Sequence, residues 1–228
     1  MPEVPLPGNS CPAGVENCPT LQEIQRLQLQ CKQLERQLQI DHLTRLFNVR
    51  HLFAALDQEM ERTRRTGLPT GLIMIDLDHF KQINDNFGHQ TGNQVLQWVS
   101  RLWQEKLRRI DIACRYGGEE FAVILPGTRL AHAVRAAERL RTIVEASSLE
   151  VDNHNIRITA SFGVDTYTLH EELAMDGFIQ RVDQLLLEAK TTGRNRVCHR
   201  AAEARREPTE ISTEERAMLF VGRWPTTE

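Results

Sequence analysis

The stretch that most constrains the fold is residues 113–126, where two apolar runs flank the pair Gly117-Gly118. Glycine adopts positive φ without a Cβ clash, so this pair predicts a tight hairpin between two strands. Glu119 and Glu120 follow the pair directly. Burying a carboxylate is costly unless it is paired or bound to metal. The two acids therefore form either a solvated hairpin tip or part of a functional site.

A second acidic strand end lies upstream, where the apolar run 71–77 includes Asp76 and is followed by Asp78. Continuous apolar runs are typical of central strands, and functional groups lie at the ends of such strands. If this run neighbours the hairpin in one sheet, Asp76 and Glu119 converge. Two carboxylates at adjacent strand ends are a hard oxygen site for Mg²⁺ that leaves room for the phosphates of a nucleotide.

Several further motifs occur in a fixed order around these two acidic ends. They occupy residues 41–48, 76–85, 88–89, 92, 115–121, 161–164 and 189–195. Together they resemble the GGDEF family of diguanylate cyclases, in a variant whose signature reads Gly-Gly-Glu-Glu-Phe. The resemblance extends from Asp41 to about His199, and several spaced motifs are more specific than any single one.

The predicted elements indicate a sheet with helices packed on it. Periodicity and turn signals predict helices over residues 41–65, 80–88, 91–107, 129–146 and 176–190, a hairpin over 111–125, and strands over 71–77, 155–167 and 196–198. Asp41 is the expected N-cap of the first helix. The order β-α-α-β-β-α-β-α-β predicts an α/β or α+β sandwich. The resemblance implies a palm-like, mostly antiparallel sheet flanked by helices, as in nucleotidyl cyclases.

Four regions are expected along the chain. Residues 1–20 are a proline-containing tail, 21–40 a helix, 41–199 the catalytic domain and 200–228 a charged tail. The helix carries apolar residues at a 3-4-3-4 spacing, namely Ile24, Leu27, Cys31, Leu34 and Leu38. This heptad seam predicts a two-stranded coiled coil; the alternative is a single amphipathic helix packed on its own domain.

The composition of the chain indicates which kinds of binding partner are not expected. The net charge of −3 and the pI near 6.3 do not predict DNA or RNA binding. No apolar run approaches the about 18–20 residues that span a bilayer, and no signal peptide is evident. The five cysteines are scattered and odd in number, which favours reduced thiols over a disulfide framework. A cytoplasmic protein without membrane association is expected.

The resemblance implies condensation of two GTP molecules into cyclic di-GMP with release of two pyrophosphates, across a homodimer of catalytic domains. It implies that Asp76, Glu119 and the Leu77 carbonyl bind Mg²⁺, with Mn²⁺ as an alternative ion. Glu119 is the expected acceptor of the hydroxyl proton. Lys81, Lys190 and Arg194 match positions that hold phosphates, and Lys81 is also expected to act in catalysis. The other expected substrate contacts are Phe80, Asn84, His89, Asn93, Gly117 and Gly118.

The sequence departs from the family pattern at one of the two positions that read guanine. Asn84 matches, but Asn93 stands where aspartate is usual. Aspartate accepts from two N–H groups of guanine, whereas asparagine offers one acceptor and one donor. One hypothesis is therefore weaker GTP binding and relaxed base choice, with cyclic GMP-AMP as a product. The alternative is that the backbone and Asn84 compensate.

A regulatory site is implied as well. Arg108 and Asp111 form an Arg-x-x-Asp motif just before the hairpin, and Arg139 matches the usual second arginine of the family's product-binding inhibitory site. Arginine suits phosphate and guanine edges. Cyclic di-GMP is thus expected as product and inhibitor, and an unidentified regulatory protein is a further candidate partner. The competing interpretation is a non-catalytic module that senses GTP or cyclic di-GMP.

Overall fold

The computed structural model describes residues 39–152 and 154–200, together with residues 19, 22–28 and 30. Residues 22–28 are helical, and the side chains of Ile24 and Leu27 are exposed. The remaining positions of the predicted seam, Cys31, Leu34 and Leu38, lie outside the described residues, as do residues 1–18 and 201–228. The coiled coil and both tails therefore stay predictions.

Along residues 49–199, single helices separate groups of one to three strands. In chain order they are α1 (Val49–Thr66), β1 (Thr70–Leu77), α2 (Phe80–Gln104), β2 (Ile112–Gly117), β3 (Glu120–Leu125), α3 (Leu130–Glu145), β4 (Leu149–Val151), β5 (His154–Ile156), β6 (Ala160–Tyr167), α4 (Met175–Thr191) and β7 (Val197–His199). Helix α1 begins after Asn48, whose side chain accepts the His51 N–H. It ends at Gly67, which has the left-handed φ of 73° that favours glycine.

The main sheet has five strands in the order β2-β3-β1-β6-β7. Strand β1 lies at the centre and pairs antiparallel with β3 and β6, while β6 and β7 are parallel. Strands β4 and β5 form a separate two-stranded hairpin. The mostly antiparallel sheet flanked by helices confirms the predicted fold class.

Helices cover both faces of this sheet, and the alternation of β1 assigns each residue to a face. Ile73, Ile75 and Leu77 join the core beneath α2 and α3, whereas Leu72 and Met74 join the core beneath α1 and α4. Asp76 continues the second series, so its carboxylate lies on the α1/α4 face. Part of the candidate site described below lies on that face.

Two predicted elements are wrong in their bounds. The helix predicted from Asp41 begins only at Val49, and Asp41 instead accepts hydrogen bonds from the backbone and hydroxyl of Thr44 in a preceding turn. The turn forms because Phe47 bridges to Cys114 of β2, which keeps this segment out of a helix. The strand predicted over 155–167 is divided: its first residues pair with β4, and β6 begins at Ala160.

The two predicted helices over 80–88 and 91–107 are continuous apart from a kink at Gly88, and they end at Gln104. Gly88 has φ 83° and ψ 159°, a conformation that favours glycine. None of the helices in the described part of the chain combines the length and apolar character that a bilayer crossing requires.

Candidate active site

The acidic end of β1 lies beside the glycine hairpin, as the sequence predicts. Asp76 is directly opposite Glu120 of β3 on one side and Ser161 of β6 on the other. The Leu77 N–H donates to the Glu119 carbonyl at 3.3 Å. This pairing places Asp76, the Leu77 backbone and Glu119 at one edge of the sheet, which we call the catalytic edge after the role proposed for it below.

Asp76 is a partly buried carboxylate whose closest cation is Lys190. The Lys190 Nζ lies 2.7 Å from Asp76 Oδ2. Burial raises the pKa of Asp76, and the negative charge of Asp78 adds to that rise. The positive charges of Lys190 and Arg194 oppose it. The site therefore holds a carboxylate whose ionised form gains from any further cation.

Glu120 is a residue of the catalytic edge to which the sequence analysis gives no role. Burial raises its pKa first, and the charge of Asp76 raises it further. Directly opposite residues on antiparallel strands share one face, so the two carboxylates lie side by side. The strand register could have predicted this contact, because Glu120 at the start of β3 pairs with Asp76 near the end of β1.

The hairpin turn is held by a side chain that precedes it. Gly118 has φ 40°, and its carbonyl accepts two hydrogen bonds from the Arg115 guanidinium, at 3.1 Å and 2.9 Å. Arg115 also pairs with Asp41 at 3.3 Å. Burial alone would raise the pKa of Asp41, but the hydrogen bonds from Thr44 and the positive charge of Arg115 outweigh it and lower that pKa. The conformation of the glycine turn thus depends on the segment before α1.

The predicted guanine-reading residues lie together on α2. A Cβ built on Gly92 would collide with the side-chain oxygen of Asn84 and approach the ring of Phe80 at 3.2 Å. The absence of a side chain at position 92 therefore lets Asn84 pack beside the start of the second half of the helix. Asn93 is exposed directly after Gly92, and Lys81 and His89 are also exposed.

Comparison with known proteins identifies this arrangement. The family model described as "Diguanylate cyclase, GGDEF domain" matches residues 38–196. The chain belongs to the GGDEF family. It is 41% identical over 164 residues to the response regulator PleD of Caulobacter vibrioides, a match that covers 71% of this chain and 36% of PleD. The chain thus spans about a third of the length of this relative.

Solved GGDEF structures share the fold. The coiled coil and GGDEF domain of DgcB from Caulobacter crescentus, in complex with c-di-GMP, aligns with a TM-score of 0.73 and 31% identity, covering 79% of this chain and 95% of that one. Diguanylate cyclase SiaD of Pseudomonas aeruginosa, in complex with its activator SiaC, aligns with a TM-score of 0.68 and 35% identity, covering 79% and 72%.

The oxygen donors of this GGDEF domain suit a magnesium ion. In the described part of the chain, no group of three or more His, Cys, Asp or Glu side chains is arranged to hold a metal. The catalytic edge instead brings together Asp76, Leu77 and Glu119, the residues whose oxygens the sequence analysis expects to bind the ion. Mg²⁺ prefers such hard oxygen ligands, and it commonly keeps waters and substrate phosphates in its other positions. Burial and nearby carboxylates raise the pKa of Asp76 and of the neighbouring Glu120, so a cation at this edge would favour their ionised forms.

The predicted inhibitory residues lie together, away from the catalytic edge. Arg108, Asp111 and Arg139 line one cavity of about 150 Å³, to which α3 adds His132 and Arg135. The Arg108 backbone N–H donates to Asp111 Oδ2 at 2.8 Å. Burial raises the pKa of Asp111, while Arg108 and Arg139 oppose the rise. A cavity with three arginines around one carboxylate suits an anionic ligand that also carries hydrogen-bond donors.

Proposed function

We propose that this GGDEF domain is an active diguanylate cyclase that condenses two GTP molecules into cyclic di-GMP and two pyrophosphates. The observation that carries the proposal is the meeting of Asp76 with the Glu119 turn, next to Lys190. Family membership supports nucleotidyl transfer, and this edge supplies what that chemistry needs: hard oxygen ligands, a proton acceptor and cations for phosphates.

Each half-reaction forms a bond from the 3′-oxygen of one GTP to the α-phosphorus of the other and breaks the α–β phosphoanhydride bond. The proton of the 3′-hydroxyl passes to Glu119, and pyrophosphate leaves. Lys190, Arg194 and Lys81 hold phosphates, and Asn84 and Asn93 orient the guanine. Phe80, His89, Gly117 and Gly118 shape the substrate pocket. Positioning and charge neutralisation are the main contributions in such transfers.

Mg²⁺, or Mn²⁺ in its place, would be held by Asp76, Glu119 and the Leu77 carbonyl. When bound, the ion supplies Lewis-acid stabilisation of the phosphate charge and lowers the pKa of the attacking hydroxyl. The protein's own contribution is to hold the two carboxylates at adjacent positions of the sheet edge.

The reaction requires two catalytic domains that face each other, so we propose a homodimer whose domains are joined through the helix at 21–40. The catalytic unit would be residues 41–199, flanked by tails at 1–20 and 200–228. The solved relative DgcB contains a coiled coil with its GGDEF domain. SiaD is bound to an activator protein. A regulatory protein partner is proposed for this chain by analogy.

The deciding experiment incubates the purified chain with Mg²⁺ and GTP and separates the nucleotides by chromatography and mass. We expect cyclic di-GMP from the wild type and none from Glu119→Ala. Thermal melting of the variant shows whether it is folded. A folded wild-type dimer that makes no product would favour the alternative, a module that senses GTP or cyclic di-GMP without turnover.

Product inhibition is the second part of the proposal, and it rests on the cavity around Asp111. We expect Arg108→Ala to raise the inhibition constant for cyclic di-GMP at least about ten-fold, because a charged hydrogen bond contributes about 1.5–3 kcal/mol. The rate without product should stay within two-fold. Arg109→Ala is the matched control, since Arg109 is the adjacent arginine and does not line the cavity. Equal inhibition of both variants and the wild type would contradict the assignment.

A further inference from the structure

Asp78, the second acid of the Asp-x-Asp sequence, is buried with its carboxylate oxygens occupied by protein donors. The hydroxyls of Ser161 and Thr159 donate to Oδ1 and Oδ2, each at 2.7 Å. The backbone N–H of Asn195 donates to Oδ2 at 3.0 Å. The side chain is 4% exposed. Asp78 therefore differs from Asp76, because its negative charge is already satisfied by three hydrogen bonds.

The segment that Asp78 holds has an unusual backbone. Gly193, Arg194 and Asn195 have φ values of 126°, 61° and 46°. Non-glycine residues are uncommon at positive φ, and they stay there only where the surrounding structure holds them. Two successive residues in this region require fixed contacts on both sides. We call residues 192–196 the α4–β7 loop.

A second anchor holds the same loop from α3. Arg141 donates to the side-chain oxygen of Asn195 at 3.1 Å, and the Asn195 amide donates to Glu145 at 2.7 Å. The Arg194 N–H donates to the Ala189 carbonyl at 2.9 Å, which ties the loop to the end of α4. Asn195 is thus fixed through its backbone by the sheet and through its side chain by a helix.

Arg194 directly precedes Asn195, whose backbone is bonded to Asp78, and Asp78 lies two residues after Asp76 of the catalytic edge. The positive charge of Arg194 opposes the raised pKa of Asp76. Lys190, in the last turn of α4, contacts Asp76 directly. Fixing the loop therefore fixes the direction in which Arg194 approaches the place where phosphates are expected.

We propose that Asp78 is a positioning residue that anchors the α4–β7 loop so that Arg194 reaches the triphosphate, and that it is not a metal ligand. This inference rests on the proposed function for the identity of the nucleotide. Loss of the anchor frees a strained loop and weakens nucleotide binding, while binding of a metal ion alone is unchanged.

The test compares Asp78→Ala with Ser161→Ala. Ser161→Ala removes one hydrogen bond from the same carboxylate but leaves the bond to Asn195. The nucleotide probe is 3′-deoxy-GTP with Mg²⁺, which lacks the attacking hydroxyl and cannot condense. Its affinity is measured by calorimetry, Mn²⁺ binding without nucleotide by electron paramagnetic resonance, and loop opening by hydrogen exchange over residues 192–196.

We expect Asp78→Ala to weaken 3′-deoxy-GTP about ten-fold, the loss of one charged hydrogen bond to phosphate, and to speed exchange in the loop. Ser161→Ala should change neither quantity by more than two-fold. Mn²⁺ binding should match the wild type in both variants and be lost in Asp76→Asn. Loss of Mn²⁺ binding in Asp78→Ala would overturn the proposal, as would unchanged nucleotide affinity despite faster exchange, or equal weakening in Ser161→Ala.

If Asp78→Ala does not fold, Asp78→Asn gives the same test at smaller amplitude. Its single amide oxygen is neutral, and neutral acceptors make weaker hydrogen bonds than carboxylates. Loop exchange should rise and nucleotide affinity fall by about three-fold; an unchanged loop and affinity would count against the anchor. Because 3′-deoxy-GTP binding does not require turnover, a wild type that binds it but makes no cyclic di-GMP would refute the proposed activity and leave the anchor open to the same measurement.

Discussion

Asp76, which is partly buried, and Asp165, which is fully buried, are two carboxylates on one face of the sheet, and their surroundings differ. Asp76 is opposite Ser161 of β6, and Asp165 lies four residues further along that strand, opposite Leu72. Residues separated by an even number of positions share a face, so both side chains lie beneath α1 and α4. Burial raises the pKa of each carboxyl. Burial thus acts on both carboxyls in the same direction, and the charged groups around them differ.

The charges around Asp165 are balanced. Arg181 lies 2.6 Å from its Oδ2, close but not aligned as a hydrogen bond, and the Thr166 N–H donates to Oδ1 at 2.8 Å. Arg200 is 3.9 Å away, and both arginines also contact Glu171. Two acids thus share two arginines, which is the paired arrangement that a buried charge requires.

The charges at the catalytic edge are not balanced. Asp76, Glu119 and Glu120 lie close together, and the direct contact to a cation is that of Lys190 with Asp76. A lysine ammonium binds a carboxylate as a single point charge and leaves other lone pairs of the carboxylate oxygens available. An arginine guanidinium can bind both oxygens of the carboxylate at once. From this difference we infer a general distinction between the two sites. An acid whose negative charge is matched by the cations of the protein has a structural role. An acid with too few cations around it is a candidate site for a bound cation.

The strongest way to break this comparison is to neutralise each aspartate in turn. We expect Asp76→Asn to lower cyclic di-GMP synthesis about 10³-fold, because several kcal/mol of metal-assisted stabilisation are lost, with little change in melting temperature. Asp165→Asn should retain activity per folded molecule within two-fold and melt at a lower temperature, because it leaves Arg181 and Arg200 with Glu171 as their single acid. Activity and thermal melting of both variants are the measurement. Similar activity losses in the two would show that charge balance does not separate their roles.

Replacing Arg181, the cation of the balanced pair, should lower the stability of the fold strongly and change the synthesis of cyclic di-GMP little. Arg181 is only partly exposed, so Arg181→Gln leaves Asp165 and Glu171 underpaired and should cost about 2–3 kcal/mol of unfolding free energy. The double variant Asp165→Asn with Arg181→Gln should recover part of that loss. Arg62→Gln is the control, because the Arg62 side chain is 48% exposed, twice the exposure of Arg181, and a solvated cation contributes little to its ion pair. Denaturant unfolding measures all three; an equal cost for the control would refute the argument.

Residue patterns were sufficient to predict the catalytic edge. The apolar run before Asp76 and the hairpin at Gly117-Gly118 can each be recognised from neighbouring residues. Strands of this kind can pair within one sheet in only a few ways. The order of elements likewise predicts the sandwich. These features depend on periodicity and turn chemistry, which act within a few residues.

The wrong or missing assignments depend on distant partners. Asp41 looks like a helix cap, but Phe47 exchanges backbone hydrogen bonds with Ala113 and Arg115 of β2, which holds the segment extended. Asp78 looks equivalent to Asp76 in sequence. Its different role follows from Asn195, a partner 117 positions away in the chain. Local signals carry no information on such contacts.

The guanine end of the site offers a sharper test within the catalytic domain. Asn93 is exposed and follows Gly92, beside which Asn84 packs. In the proposed function this residue orients the guanine, and an aspartate there would accept from two guanine N–H groups. If asparagine weakens guanine binding, Asn93→Asp should lower the KM for GTP about ten-fold, from one charged hydrogen bond regained. The same change should reduce any incorporation of ATP. Steady-state kinetics in GTP and ATP mixtures measure both, and an unchanged KM would mean that the backbone and Asn84 already compensate.

The smallest expected effect is a gain in stability at the catalytic edge. Burial and the charge of Asp76 hold the pKa of Glu120 above its usual value, so its ionised form is less favourable in the folded chain than in the unfolded one. That cost is fully present at neutral pH and disappears as the pH falls below the ordinary glutamate range. Glu120→Gln should therefore raise the melting temperature about 1–2 °C at pH 7, and the gain should shrink towards pH 4. A lower melting temperature at pH 7 would show that Glu120 is stabilised by its neighbours and that the catalytic edge carries no excess of negative charge.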